Sequence, residues 1–407
     1  MVTVVIVGGG QAGFQAADTL SKGDPTLTIT VLAAEPHLPY QRPPLSKKFL
    51  AGEFPERRLY FRPDSFFEKR GIDLRLDVTV VSIDPEAKSV QTQAGETVPY
   101  DKLVIATGAR IRPFPGADSL GLDYIRSIDD GAAIAEKAAD LDSVLMIGGG
   151  FIGLEAAATL KGLGKSVTVV EAMDMLMPNI NAPALSEFYH DHHLKQGVDI
   201  LLGLTVSKIE RLNSGYQVSL SDGRALAADM IIAGIGVLPN AEIAVNAGLA
   251  TSNGILVNEF CQTSNVDIYA IGDCANGMHQ LFKTHTRLES VQNAVDQAKC
   301  AADHILGDPK PYDALPWFWS DQYGLKLQMA GLSKGSDSYV IRGDMATDSF
   351  SICYFKKANL IAVDSVSKPA DHMAAKRLIS AGISPSKDQC ADDTTPLKVW
   401  LTETLAC

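Results

Sequence analysis

The chain opens on an unbroken apolar, β-branched run, Val4–Val7, and a second such run stands at Val144–Ile147. A run without polar alternation predicts a strand covered on both faces. Each run leads into glycines and then into an alanine-rich stretch that reads as a helix. Residues 4–20 (VVIVGGGQAGFQAADTL) and 144–160 (VLMIGGGFIGLEAAATL) share the triple glycine, a later glycine, an alanine pair and Thr-Leu. One structural unit therefore occurs twice. A further strand follows each helix, at Thr28–Leu32 and at Ser166–Val170. Three more apolar runs end in tight turns: Leu103 to Gly108, Met230 to Gly236, and Ile268 to Asp273. Beyond Pro309, Pro311 and Pro316 the pattern changes. Ser338–Arg342 and Ser349–Phe355 alternate and predict antiparallel strands, and Asp371–Ile379 predicts a helix.

The glycines carry the first chemistry. Gly8, Gly10 and Gly13 form GxGxxG, and Gly148, Gly150 and Gly153 form it again. The first glycine permits the tight turn, the second lets backbone approach a pyrophosphate, and the third lets helix pack on strand. The helix N-terminus that follows offers free N–H groups and a positive dipole end to phosphate. An acid closes each unit: Glu35 lies 22 residues past Gly13, and Glu171 lies 18 past Gly153. That is about the spacing of a carboxylate that binds ribose hydroxyls. A lone GxGxxG says little, but strand, loop, helix, strand and acid found twice indicate two dinucleotide sites. One flavin and one nicotinamide is the natural pairing.

Composition narrows the picture. The 407 residues carry 36 Lys plus Arg against 48 Asp plus Glu, a net charge of −12, which disfavours a nucleic-acid binder. The N-terminus lacks the basic and long apolar regions of a signal peptide, and no stretch of 18 apolar residues offers a membrane span. A cytoplasmic protein is expected. Six cysteines (261, 274, 300, 353, 390, 407) lie far apart, with no metal-type or cluster spacing. Reduced thiols and no metal site are expected.

At this point a family resemblance is visible. The sequence resembles the flavoprotein reductases with two dinucleotide-binding domains, which hold FAD at the first motif and NAD(P)H at the second. Disulfide reductases, peroxidases and NADH oxidases of this kind place cysteine after the first unit. Here that stretch reads Pro39-Tyr40-Gln41-Arg42-Pro43-Pro44-Leu45-Ser46-Lys47, and residues 109–236 also lack cysteine. A thiol relay has no residues to run on. The Pro39–Lys47 stretch, Gly148 to Glu155 (GGGFIGLE), Arg287 to Ala294 (RLESVQNA) and Pro316 to Tyr323 (PWFWSDQY) resemble oxygenase-coupled ferredoxin and rubredoxin reductases, most of all the putidaredoxin reductase type.

That resemblance implies an α/β, glutathione-reductase-like fold: two Rossmann-like domains for FAD and NAD, and a C-terminal α+β domain. The expected bounds are 1–107 with 238–315 for FAD, 108–237 for NADH, and 316–407 for the interface domain. It implies an NADH-dependent ferredoxin reductase, with hydride passing to FAD and single electrons then passing to a 2Fe-2S ferredoxin that feeds an oxygenase. A rubredoxin as carrier, direct reduction of quinone or oxygen, and a flavoprotein of the apoptosis-inducing-factor kind stay open. A monomer or weak homodimer is expected.

By motif, the FAD contacts fall on Gly8, Gly10, Ala12, Gly13, Glu35, Lys47, Val80, Ala106, Thr107, Gly108, Arg126, Gly272, Asp273, Val291 and Trp319. The NADH contacts fall on Gly148, Gly150, Phe151, Ile152, Gly153, Glu155, Glu171 and Gly236. Lys47 and Glu155 are the expected catalytic pair, setting charge near the nicotinamide rather than shuttling protons. Glu171, with no arginine among Ala172, Met173 and Asp174, favours NADH over NADPH. Lys283, Arg287 and Lys326 are candidate docking charges for an acidic ferredoxin; ordinary solvated charge is the plainer reading of each.

Overall fold

The computed structural model describes residues 2–117, 120–279 and 282–403. They form two compact units, each drawn from separate stretches of chain: Met1–Gln41, Arg57–Arg110 and Val237–Pro316 in the first, and Arg42–Glu56, Ile111–Gly236 and Trp317–Cys407 in the second.

The first unit is built on a five-stranded parallel sheet. Its order is Ile268–Ala270, Lys102–Ile105, Thr3–Val7, Thr28–Leu32, Ile72–Arg75. The opening run supplies the central strand, and the reason it lacks alternation is plain. Val4 and Ile6 point to a core shared with the Gln11–Gly23 and Val291–Ile305 helices, through Ala12, Ala16, Ala17, Ala294 and Ala298. Val5 and Val7 point the other way, onto a core that includes Ile83, Val90 and Val98 of the three-stranded sheet Val80–Asp84, Ser89–Thr92, Thr97–Pro99. Both faces are covered, so both must be apolar.

The second unit repeats this logic. A four-stranded parallel sheet runs Asp199–Leu201, Ser166–Val170, Ser143–Ile147, Met230–Ala233. Val144 and Met146 face Ile134, Ala156 and Leu160 of the Ile128–Asp140 and Phe151–Gly162 helices. Leu145 and Ile147 face Tyr216, Val218 and Leu220 of an antiparallel ribbon. The same unit holds a five-stranded antiparallel sheet ordered Trp317–Gln322, Leu325–Gly331, Asn359–Val366, Ser349–Lys356, Ser338–Asp344. The Pro183–Lys195 helix packs on it, with Leu185 and Tyr189 in one core with Phe350, Ile352 and Tyr354. The helix expected at Asp371–Ile379 spans Pro369–Ser380.

One segment packs elsewhere than its place in the sequence suggests. Arg42–Glu56 falls inside the stretch expected for the first domain, yet it belongs to the second unit. Its side chains explain why. Leu50 joins the core of Ile134 and Leu160, Phe49 lies against Gly131, and Ser46 and Lys47 bind Glu155.

The five described cysteines are free and buried; Cys407 lies outside the described residues. Among the described residues no group of His, Cys, Asp and Glu could hold a metal, and no helix is long and apolar enough to cross a membrane.

Candidate dinucleotide sites

In the first unit the glycine loop is packed on one side and open on the other. Gly8 adopts φ +116°, and a Cβ there would lie 2.2 Å from the Ala106 carbonyl oxygen. A Cβ on Gly13 would lie 1.9 Å from the Gly8 carbonyl oxygen. Both positions therefore require glycine. At Gly10 a Cβ would meet nothing within 4 Å. Gly10 is also the N-cap of its helix and has no side chain to satisfy the first-turn N–H groups. Open space at the middle glycine, facing unpaired donors at a positive helix end, fits a pyrophosphate.

The other elements gather on this loop. Gly272, at φ +74°, would touch the Ala12 methyl at 3.0 Å if it carried a Cβ, so the Gly272–Cys274 turn lies against the start of the first helix with Asp273 half exposed. The Gly272 N–H donates to Gln297 Oε1 at 2.8 Å, and Asn293 Nδ2 donates to the same oxygen at 3.3 Å. That fixes the turn to the helix beginning at Val291, whose N-cap Ser290 accepts from the Asn293 N–H. Thr107 Oγ1 donates to the Asn240 carbonyl at 2.6 Å and Asn240 Nδ2 returns a bond to the Thr107 carbonyl at 2.9 Å, while Gly108 takes φ +67°. Glu35 follows the second strand and accepts from the Tyr40 hydroxyl. Val80 is buried at the start of the Val80–Asp84 strand.

The second unit has the matching cradle. Gly148, at φ +107°, would place a Cβ 2.4 Å from the Gly234 carbonyl oxygen, and Gly153 would place one 2.4 Å from that of Gly148. Gly150 again faces open space and caps its helix without a side chain. Phe151 turns inward against Phe318 at 4.9 Å between ring centroids, whereas Ile152 is exposed. Gly236 takes φ +99° and accepts from the Arg112 N–H.

Glu171 is 8% exposed, and its two oxygens accept from the Gly149 N–H at 2.6 Å and the Met173 N–H at 2.8 Å. It therefore pins the glycine loop as well as closing the strand. Each oxygen keeps a further lone pair.

Glu155 is 4% exposed and carries three donors: Lys47 Nζ at 2.6 Å and Ser46 Oγ at 2.7 Å on Oε2, and Ser320 Oγ at 2.7 Å on Oε1. Lys47 Nζ also donates to the Pro43 carbonyl at 3.2 Å. A buried carboxylate needs such company. Arg126 precedes the capping box that Ser127 and Asp130 form at the next helix, and its carbonyl accepts from Arg42. Trp319 is half buried beside Trp317, at 5.6 Å between ring centroids.

Arg287 differs from its expectation as a docking charge. Its side chain is 10% exposed, ion-paired to Glu289 at 2.6 Å and bonded to the Asp273 carbonyl at 3.3 Å. Lys283 and Lys326 are exposed, Lys283 in the first unit and Lys326 in the second.

A parallel sheet, a glycine loop open only at its middle residue and an acid after the second strand, built twice, define a pyridine-nucleotide-dependent oxidoreductase. This chain belongs to the pyridine nucleotide-disulphide oxidoreductase family, which matches residues 2–298, and its residues 317–401 match the reductase C-terminal family. It is 42% identical, over 97% of both chains, to the ferredoxin reductase subunit of 5,5'-dehydrodivanillate O-demethylase from a Sphingobium strain. Among solved structures it is similar to the ferredoxin reductase for the CYP199A2 system of Rhodopseudomonas palustris, with TM-score 0.95, 41% identity and coverage of 98% and 99% of the two chains. It is also similar to the covalent putidaredoxin reductase–putidaredoxin complex, with TM-score 0.96, 36% identity and coverage of 100% and 99%.

Proposed function

We propose that this chain is an NADH-dependent ferredoxin reductase that delivers electrons to a 2Fe-2S ferredoxin serving an oxygenase, in the cytoplasm. What carries the reading is a full-length likeness to ferredoxin reductases, joined to two open glycine cradles. When bound, FAD takes an electron pair from NADH and releases electrons one at a time to a one-electron carrier.

The chain's own residues bind, orient and set charge. Gly8, Gly10, Ala12 and Gly13 cradle the FAD pyrophosphate, Glu35 and Val80 meet its adenosine half, and Ala106 to Gly108 with Gly272 and Asp273 line the rest. The helix starting at Val291 points its positive end at the flavin. Gly148, Gly150 and Gly153 cradle the NADH pyrophosphate. Glu171 keeps an anion at the ribose end, where it accepts from a 2′-hydroxyl and repels a 2′-phosphate. Lys47, held by Glu155, fixes a positive charge near the nicotinamide and excludes water there; it moves no proton.

The deciding experiment is anaerobic NADH oxidation by the holoenzyme with a 2Fe-2S ferredoxin, a rubredoxin, a quinone or no acceptor. Turnover at least about a hundredfold faster with ferredoxin is expected. Equal turnover with quinone would overturn the reading. NADH should exceed NADPH in kcat/KM by about tenfold or more, as removal of a hydrogen bond and repulsion of one charge require.

A further inference from the structure

The bonds on Glu155 continue well beyond it. Ser320 Oγ, which donates to Glu155 Oε1, is met by Gln322 Nε2 at 3.1 Å. Gln322 Oε1 lies 2.8 Å from His193 Nε2, and the Tyr323 hydroxyl lies 3.1 Å from His193 Nδ1. Ser320, Gln322 and His193 are all buried.

The direction of every bond in this chain is forced from the anion outward. A carboxylate paired with an ammonium only accepts, so Ser320 spends its single proton on Glu155. The Ser320 lone pair then takes the Gln322 amino group, which turns the amide oxygen toward His193. His193 must therefore carry its proton on Nε2, leaving Nδ1 to accept from Tyr323. Burial pulls the His193 pKa down to about 4, so the ring is neutral and has one donor only.

Tyr323 marks the outer end. It takes φ +51° and Gly324 φ +86° in the two-residue turn that joins Trp317–Gln322 to Leu325–Gly331. Such a turn ordinarily selects asparagine or glycine at its first position. A tyrosine stands there instead, its ring edge-on to His193 at 4.9 Å.

Without a donor at His193, the buried Gln322 amide oxygen loses its partner, and only the amino group's bond to Ser320 still opposes a flip of the amide. The flip turns that oxygen onto Ser320 to accept the proton that Glu155 now receives, leaving the carboxylate with Ser46 and Lys47 alone. We infer that His193 is a positioning residue for the Lys47–Glu155 pair: as the Nε2–H tautomer it orients the Gln322 amide, and through it holds the Ser320 hydroxyl on Glu155. This rests on the role proposed above for that pair.

The test uses the FAD-loaded enzyme. His193→Phe should reproduce Ser320→Ala, with the same displacement of the Glu155 carboxylate band in infrared spectra differenced against Glu155→Gln. Both should slow FAD reduction at saturating NADH by roughly tenfold, as loss of a bond to a charged group implies. His193→Gln, which keeps a donor near the Nε2 position, should leave band and rate in place. Adding Gln322→Met to His193→Phe should return the band to its original position, because no acceptor then competes for Ser320.

An unmoved band in His193→Phe, an equal displacement in His193→Gln, or no return with Gln322→Met would overturn the inference. Nitrogen-15 spectra of histidine-labelled wild type decide it even if His193→Phe does not fold: an Nδ1–H tautomer at His193 would rule it out. A wild-type reduction rate in Glu155→Gln would instead sink the proposed role of the pair, while the infrared and nitrogen spectra still decide the chain of bonds.

Discussion

Removing Lys47 and removing Glu155 are unequal changes. The lysine side chain is 18% exposed and can turn its ammonium toward water, whereas the carboxylate cannot. Stranding a buried charge costs about 3–5 kcal/mol. Lys47→Met is therefore expected to lower unfolding free energy by about 3 kcal/mol, and Glu155→Gln by about 1. Urea titration of both variants and of the double variant, which should recover part of the loss, checks this.

Asp364 offers a pH signature. It is wholly buried, with the Tyr354 hydroxyl donating at 2.6 Å, and burial lifts its pKa to about 7. Between about pH 4 and pH 7 the folded chain thus holds a proton that the unfolded chain has lost. Stability contributed by this group falls as pH rises through that window and levels off above it. His193 works oppositely, since its folded pKa lies below that of the unfolded chain. Asp364→Asn should therefore gain about 3 kcal/mol over wild type at pH 8 and little at pH 4, measured by urea unfolding across the range.

At this scale the motifs pointed to Lys47 and Glu155 but not to their support. Ser46 and Ser320 lie 109 and 165 residues from Glu155 along the chain, and no periodicity spans such gaps. Gln322 and His193 were illegible for the same reason, although the period of two along Trp317–Gln322 does place Ser320 and Gln322 on one face.

Elements were far more legible. Unbroken apolar runs became parallel strands covered on both faces, and alternating runs became the antiparallel sheet. The exceptions are instructive. Arg342 reads as the polar end of an alternating strand, yet it is 2% exposed, bonded to Asp371 and to the Asp392 and Thr395 carbonyls. It holds the last loops of the chain, a task that no local pattern announces. The run from Leu103 stops as a strand at Ile105, because Ala106 packs its carbonyl on Gly8.

The glycine loops give a prediction of their own. Gly8→Ala must push a methyl into the Ala106 carbonyl at positive φ and should destabilise the fold by about 2 kcal/mol or more. Gly10→Ala clashes with nothing in the protein, so folding should be unchanged while FAD affinity falls at least about tenfold. Apoprotein unfolding and flavin titration separate the two effects.

For the whole molecule, three domains were expected and the chain divides into two compact units, residues 317–407 sharing one with 111–236; the assignment of Arg42–Glu56 came only from packing. That segment brings Ser46, Lys47 and Leu50 to the second unit. A protein made from residues 111–236 and 317–407 alone should therefore be markedly less stable than one to which the 42–56 peptide is restored. The expected difference is about 3–5 kcal/mol from the uncompensated Glu155 charge alone. Thermal unfolding with and without the peptide checks it.

The path of the chain also sets a timetable for its birth. The polypeptide passes between the two units at 41/42, 56/57, 110/111, 236/237 and 316/317. The first glycine loop leaves the ribosome about 260 residues before the edge strand Ile268–Ala270 and the Gly272 turn that rests on Ala12. Until that stretch emerges, the first unit lacks an edge of its sheet and the turn that closes on its glycine loop. Flavin capture then waits for residue 272, and a chain stalled before it would carry the motif without the means to keep the ligand.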